Sequence, residues 1–168
     1  MKIKPVLSKR GVLGRGIVLL VIGISGLFPL LVSAQELSKG QLVYVPIYSH
    51  IYYGDREQAF PLTGTLSVRN TDPLRSLTLL RVDYYDTEGK LIKKYLSQPL
   101  ALGPLGSIRF VIKASDTRGG SGANFLVRWK AEREINIPIM EGVMIGAAGQ
   151  QGISFTSRGQ AIREGESR

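Results

Sequence analysis

Apolar and polar residues alternate along most of the chain after residue 34, the pattern of strands with one buried and one wet face. Leu62, Gly64, Leu66 and Val68 share one face of a segment whose other face carries Thr63, Thr65, Ser67 and Arg69; Asn70-Thr71-Asp72-Pro73 then breaks it as a turn. A run over residues 76–85 leads into Asp86-Thr87-Glu88-Gly89, with Asp first and Gly last as a type I turn prefers, and residues 90–96 return to complete a hairpin. Residues 100–106, punctuated by Gly103-Pro104, read as irregular. Ile108, Phe110 and Ile112 alternate with Arg109, Val111 and Lys113. After a glycine-rich loop over residues 116–122, Phe125, Val127, Trp129 and Ala131 oppose Leu126, Arg128 and Lys130, and two further strands fit residues 139–147 and 153–158. Helical spacing is absent. Seven or eight short strands spaced by turn signals predict an all-β fold. An antiparallel, immunoglobulin-like sandwich suits them, with a small β-barrel as the alternative. Trp129 is a core residue in the sandwich, and no repeat, linker or second domain interrupts residues 35–163.

The segment over residues 42–53 differs in kind on its two faces. Val43, Val45, Ile47, Ser49 and Ile51 fall on one, and Tyr44, Pro46, Tyr48, His50 and Tyr52 on the other. Tyrosine and histidine present an apolar body with a polar tip, so Tyr44, Tyr48, His50 and Tyr52 form a candidate ligand-binding face able to stack on a sugar or peptide. If loops or a second sheet cover that face, it packs instead. Pro46 cannot donate to a ladder, which predicts an edge or bulged strand able to accept an added strand from a partner.

The first 34 residues follow another pattern. Lys2, Lys4, Lys9, Arg10 and Arg15 precede an apolar run over residues 16–32, and Val32-Ser33-Ala34 supplies a small-residue exit. These are the parts of a cleavable signal peptide spanning residues 1–34, with Gln35 first in the mature chain. An uncleaved anchor is the rival, since the run approaches the roughly 17 residues that can just span a bilayer; Gly23, Gly26 and Pro29 argue against a durable helix. Ser8-Lys9-Arg10 is similar to a twin-arginine signal, but Lys replaces its first Arg. The expected compartment is therefore the periplasm or the exterior, with no membrane span left after cleavage. Residues 164–168 form a polar tail expected to fray.

Charge then changes meaning. Five of the 22 basic residues lie in the leader and all 13 acidic ones behind it, so the remaining 17 basic residues leave a net charge of +4 rather than +9. They are scattered, where a nucleic-acid binder shows a concentrated stripe, so that partner class is rejected. The chain has no cysteine, which excludes disulfides, thiol chemistry, iron–sulfur ligation and lipid modification of an N-terminal Cys. Behind the leader, 134 residues can bury about two-thirds of their unfolded surface in one domain without staples.

Candidate chemistry is sparse. His50 is the sole histidine, so an imidazole triad or metal site must use it. With Met140 and Met144 it offers soft ligands to copper(I), but two methionines on one strand face are ordinary packing, and no metal or cofactor is expected. Gly119-Gly120-Ser121-Gly122-Ala123 imitates a nucleophile elbow, yet Ala stands where Gly is needed and a strand follows where a helix should. A mobile hairpin loop explains it better, with a backbone nest for anions as a minor reading. Asp116, Arg118, Ser121 and Asn124 are the loop's candidate site residues, Asp116 and Arg118 pairing at its rim. Asp55 with Glu57, or Asp83 with Asp86, read as solvated positions beside turns rather than a glycosidase pair.

The stretches Tyr44-Val45-Pro46-Ile47-Tyr48-Ser49-His50-Ile51-Tyr52, Gly54-Asp55-Arg56-Glu57, Arg69-Asn70-Thr71-Asp72-Pro73, Gly119-Gly120-Ser121-Gly122-Ala123-Asn124-Phe125 and Gly152-Ile153-Ser154-Phe155 resemble, in one order from about Gly40 to Ile162, the bacterial family catalogued as domain of unknown function 3124. The resemblance implies a small exported protein and assigns no catalytic residue. Export, β-architecture and the Tyr/His face together predict a non-enzymatic binding or assembly module whose partner is a protein or glycan of the cell envelope. A periplasmic hydrolase with carboxylate or Ser121 chemistry is the alternative.

Overall fold

Alternation builds the framework. In β4 (Thr63–Arg69) the even positions Gly64, Leu66 and Val68 turn inward, as the sequence pattern requires. The same rule sets β8 (Ser107–Ile112), which buries Phe110 and Ile112, and the first half of β9 (Asn124–Asn136), which buries Phe125, Val127 and Trp129. The computed structural model describes residues 36–148 and 151–163, which belong to one compact unit. The predicted signal peptide and polar tail lie outside these residues.

Two antiparallel sheets form the sandwich. The first has the order β12 (Gln160–Ile162), β1 (Leu37–Pro46), β9, β5 (Leu77–Tyr85), β6 (Leu91–Lys94), with β7 (Leu100–Leu102) also on β5. The second has the order β11 (Gln151–Arg158), β10 (Ile139–Ala148), β4, β8. A separate hairpin joins β2 (His50–Tyr53) to β3 (Gln58–Pro61). Among the described residues no sheet closes into a barrel. Val43, Val45, Leu79, Tyr84, Phe125 and Trp129 of the first sheet share one core with Leu66, Val68, Phe110, Met140 and Met144 of the second. Met140 and Met144 therefore pack in the core.

The structure corrects the sequence reading at four places. The continuous strand over residues 42–53 is two strands, and the first begins earlier, at Leu37. Pro46 ends β1; beyond it Ile47 N donates to Ala123 O (3.0 Å) and Ser49 N to Gly120 O (3.1 Å), which draws the chain off the sheet. The bulge falls at Ser38/Gly40 rather than at Pro46, and β1 lies between β12 and β9. Residues 100–102 are not irregular but pair with β5. The glycine-rich loop is not a hairpin, because it leads from β8 in one sheet to β9 in the other. Nor is it loosely held, since Thr87 N and Thr87 Oγ1 both donate to Gly119 O at 3.0 Å. Asp83, read as solvated, is buried beside Arg81 Nε at 3.6 Å.

The turn after β4 is a buried polar knot. Asn70 Nδ2 donates to Arg75 O (2.8 Å), Leu102 O (3.3 Å) and Gly103 O (2.9 Å). Asp72 Oδ1 accepts from Leu74 N and Arg75 N, each at 2.9 Å, and Oδ2 from Asn136 N at 3.4 Å. The Leu74 amide foremost holds the Asp72 carboxyl below its ordinary value against the opposing effect of burial.

Candidate functional site

The four residues of the expected aromatic face do not share one surface. Tyr44 is half-buried within the first sheet, between Leu126 and Gln160. Tyr48 sits at the break after β1, half-buried and edge-on to Phe155 of β11 with centroids 5.6 Å apart. Only His50 and Tyr52 come together. They are two residues apart on β2, their rings meet edge to face at 5.0 Å, and His50 Nε2 lies 3.0 Å from the Tyr52 hydroxyl.

The β2–β3 hairpin that carries them packs against β10. Its turn uses positive φ at Gly54 (68°) and Glu57 (48°), and Glu57 N donates to Gly54 O at 3.0 Å. Phe60 and Pro61 rest on Gly146 of β10; a Cβ there would run into the Phe60 ring and come within 2.9 Å of Pro61 O, so glycine is what lets the hairpin seat. Because side chains alternate, His50 and Tyr52 take one face of the hairpin while Ile51 and Tyr53 take the other. Ile51, Tyr53 and Phe60 line, with Gln151, Gly152 and Ile153, a groove of about 500 Å³ at the sandwich mouth. Tyr52 and Tyr53 are each 54% exposed and Ile153 is 40% exposed. Sequence reasoning missed this groove, having placed Ile51 only on a strand face with Val43, Val45 and Ile47; the adjacent aromatic pair Tyr52-Tyr53 before a glycine turn was its available signal.

Ser49 was also undervalued. It is fully buried, its Oγ donates to Gly120 O at 3.1 Å and to Thr117 O at 3.4 Å, and His50 Nδ1 lies 3.3 Å from the same oxygen. A small polar residue in line with Val43, Val45 and Ile47 was the clue. It binds the glycine-rich loop to the β1–β2 break.

Within that loop Arg118 grips Asp116 bidentately, Nε to Oδ1 and Nη2 to Oδ2 both at 2.8 Å. The guanidinium is the main cause that holds the Asp116 carboxyl below its ordinary value. Ser121 is half-buried, and Asn124 is buried between Pro46 and Tyr85 in the ladder. Among the described residues no hydrogen bond joins Ser121 to His50 or to a carboxylate. Asp55 and Glu57 are exposed on the hairpin turn, and Asp86 is spent on the Glu88 and Lys90 amides at 3.1 and 2.7 Å. No cluster of three or more His, Asp or Glu able to hold a metal occurs among the described residues. No helix among them is long and apolar enough to cross a membrane.

Beneath the loop lies Tyr84, buried against Phe125 with centroids 5.2 Å apart. Its hydroxyl has no hydrogen-bond partner among the described residues and abuts Gly119. Burial first, and the nearby Asp116 charge second, push that hydroxyl up to about 12.

Fold and surfaces together define a small antiparallel β-sandwich with an exposed aromatic hairpin packed on β10. The chain belongs to a family described as a protein of unknown function (DUF3124), whose model matches residues 40–162. No curated protein matches the chain. A solved structure, that of Thermotoga maritima 1070, is similar over 73% of this chain and 93% of its own at 11% identity and a TM-score of 0.42. Similarity at that level says nothing about function.

Proposed function

We propose that the chain is an exported, non-enzymatic binding or assembly module of the bacterial cell envelope that meets a protein partner through the β2–β3 hairpin and its groove. The exposure of Tyr52, Tyr53 and Ile153 around an apolar groove carries this reading. Large apolar side chains gathered on a rigid surface cost solvation unless a partner covers them, and aromatic anchors supply most of the energy where one does. The basic head, apolar run and small exit of residues 1–34 support export.

The test places a photo-crosslinking amino acid at Tyr53, and at exposed Leu91 as control, in the chain expressed in its own cells. A discrete envelope adduct at Tyr53, absent at Leu91 and abolished by Ile153→Asp, is the expected result. Equal labelling at both positions defeats the hairpin as a contact surface. Recovery in the cytoplasm with residues 1–34 intact defeats export.

A further inference from the structure

We propose that the outer end of the first sheet carries a separate site for a phosphorylated sugar, built from Arg75, Ser76, Thr78, Lys130, Glu132 and Arg133. These residues line a cavity of about 640 Å³, completed by Ala131 and Ile135. That volume falls within the range of about 300–1,000 Å³ that small ligands occupy. Three cations face one carboxylate, and among the described residues none of the three forms an ion pair.

A break in strand geometry makes the site. Gly40 pairs with Lys130 and Ser38 with Ile135, so residues 131–134 of β9 have no partner on β1. On the other side, the pairing of β5 with β9 ends at Thr78 and Lys130. A regular strand sends successive side chains to opposite faces; here residues 130–133, four in a row, all border one cavity. Bulges re-aim side chains in this way and recur beside binding sites.

The buried knot fixes both walls. Asn70 and Asp72 hold the carbonyl and the amide of Arg75, and Asp72 also takes the Asn136 amide at the far end of the bulge. The Asp72 carboxylate, though close enough to feel the Arg75 charge, is thus spent on backbone amides. Walls held before binding lower the ordering cost of capture.

The lining selects the ligand. Two guanidinium forks match phosphate oxygens, Lys130 adds a point charge, and the Ser76 and Thr78 hydroxyls donate. Glu132 repels a bare anion but accepts hydrogen bonds from sugar hydroxyls. Phosphate beside hydroxyls is the shared chemistry of a free sugar phosphate and of a glycerol or sugar headgroup on an anionic lipid.

The site does not rest on the hairpin reading. Calorimetry of residues 35–168 with inorganic phosphate, glucose 6-phosphate and phosphatidylglycerol vesicles tests it. We expect glucose 6-phosphate to bind more tightly than phosphate, and Arg75→Ala or Arg133→Ala to weaken it about tenfold or more, as loss of a charge-assisted bond does. Glu132→Gln should tighten inorganic phosphate and shrink the sugar's advantage. Vesicle binding lost with the same arginines supports the site and assigns it to lipid. Three results overturn the proposal: no binding to any of the three probes, binding that survives both arginine substitutions in chains melting like the parent, or an equal loss with Lys113→Ala at an exposed position outside the site.

Discussion

Replacing Gly119 by alanine should unseat the glycine-rich loop, and the loss should depend on one oxygen atom. An ideal Cβ on Gly119 lands on the Tyr84 hydroxyl and 2.8 Å from both Tyr84 Cζ and Ala123 Cβ. Carbon atoms pack comfortably at about 3.5–4.0 Å, and neither neighbour has room to retreat, both being buried. Overpacking of this kind costs about 1–3 kcal/mol, and displacing Gly119 O also loosens two bonds from Thr87. We expect Gly119→Ala to lose about 3 kcal/mol. Tyr84→Phe removes a buried hydroxyl with no partner and should change stability by less than about 1 kcal/mol, in either direction. Combined, the two changes should recover about half the loss, because the contacts with Ala123 Cβ and with the ring carbon Cζ of residue 84 persist; the coupling is then about 1.5 kcal/mol. Urea unfolding followed by the fluorescence of Trp129, the sole tryptophan, measures all four chains. Additivity within about 0.3 kcal/mol refutes the packing argument. The same hydroxyl predicts a pH effect. It ionises near 10 when unfolded and near 12 when folded, so its contribution is complete below pH 10 and is lost as pH climbs toward 12. Two units correspond to at most about 2.7 kcal/mol, and Tyr84→Phe should flatten the alkaline unfolding curve.

Two further predictions concern the knot and the break after β1. Asn70→Ala strips donors from three carbonyls and should cost about 3 kcal/mol in the same unfolding assay. Asp72, held below its ordinary value of 3.8, contributes stability above that pH and loses it as pH falls through its folded value; Asp72→Asn should blunt acid unfolding below pH 4. Tyr48→Ala, half-buried on Phe155, should cost about 1–2 kcal/mol, between a core truncation and a surface change, and a loss above about 3 would mark it as full core.

What could be read from the sequence was whatever a period of two writes locally. Leu66, Val68, Phe110, Ile112, Phe125, Val127 and Trp129 all turned inward as alternation required, and the Asp86–Gly89 turn formed with Gly89 at φ 80°. Strands of three or four residues, such as β7 and β12, are too short to show a period; they exist because distant partners β5 and β1 offer open edges. The grouping of the candidate face was hard to read for a related reason. Alternation carried through Pro46 placed Tyr44, Tyr48, His50 and Tyr52 on one face, but the Ala123 and Gly120 carbonyls captured the chain at Ile47 and Ser49 and started a new register. The Asp116–Arg118 pair, a contact between residues two apart, was readable; the Arg75 and Arg133 cavity, joined only through the fold, was not.

The neighbours of β1 also set a timetable. Val43 stands between Val127 and Ala161, so the first described strand of the sandwich has no sheet partner until β9 exists, and its second edge is sealed only by β12, the last of the described strands. Such distant pairings close slowly, because the intervening chain must first surrender its loop entropy. A chain threaded N-terminus first through a translocation channel would therefore arrive on the far side with its opening strand still unpaired, open to chaperones, and unable to jam the channel by folding midway. In such a passage the first sheet could not be completed before residues 160–162 had come through to pair with β1.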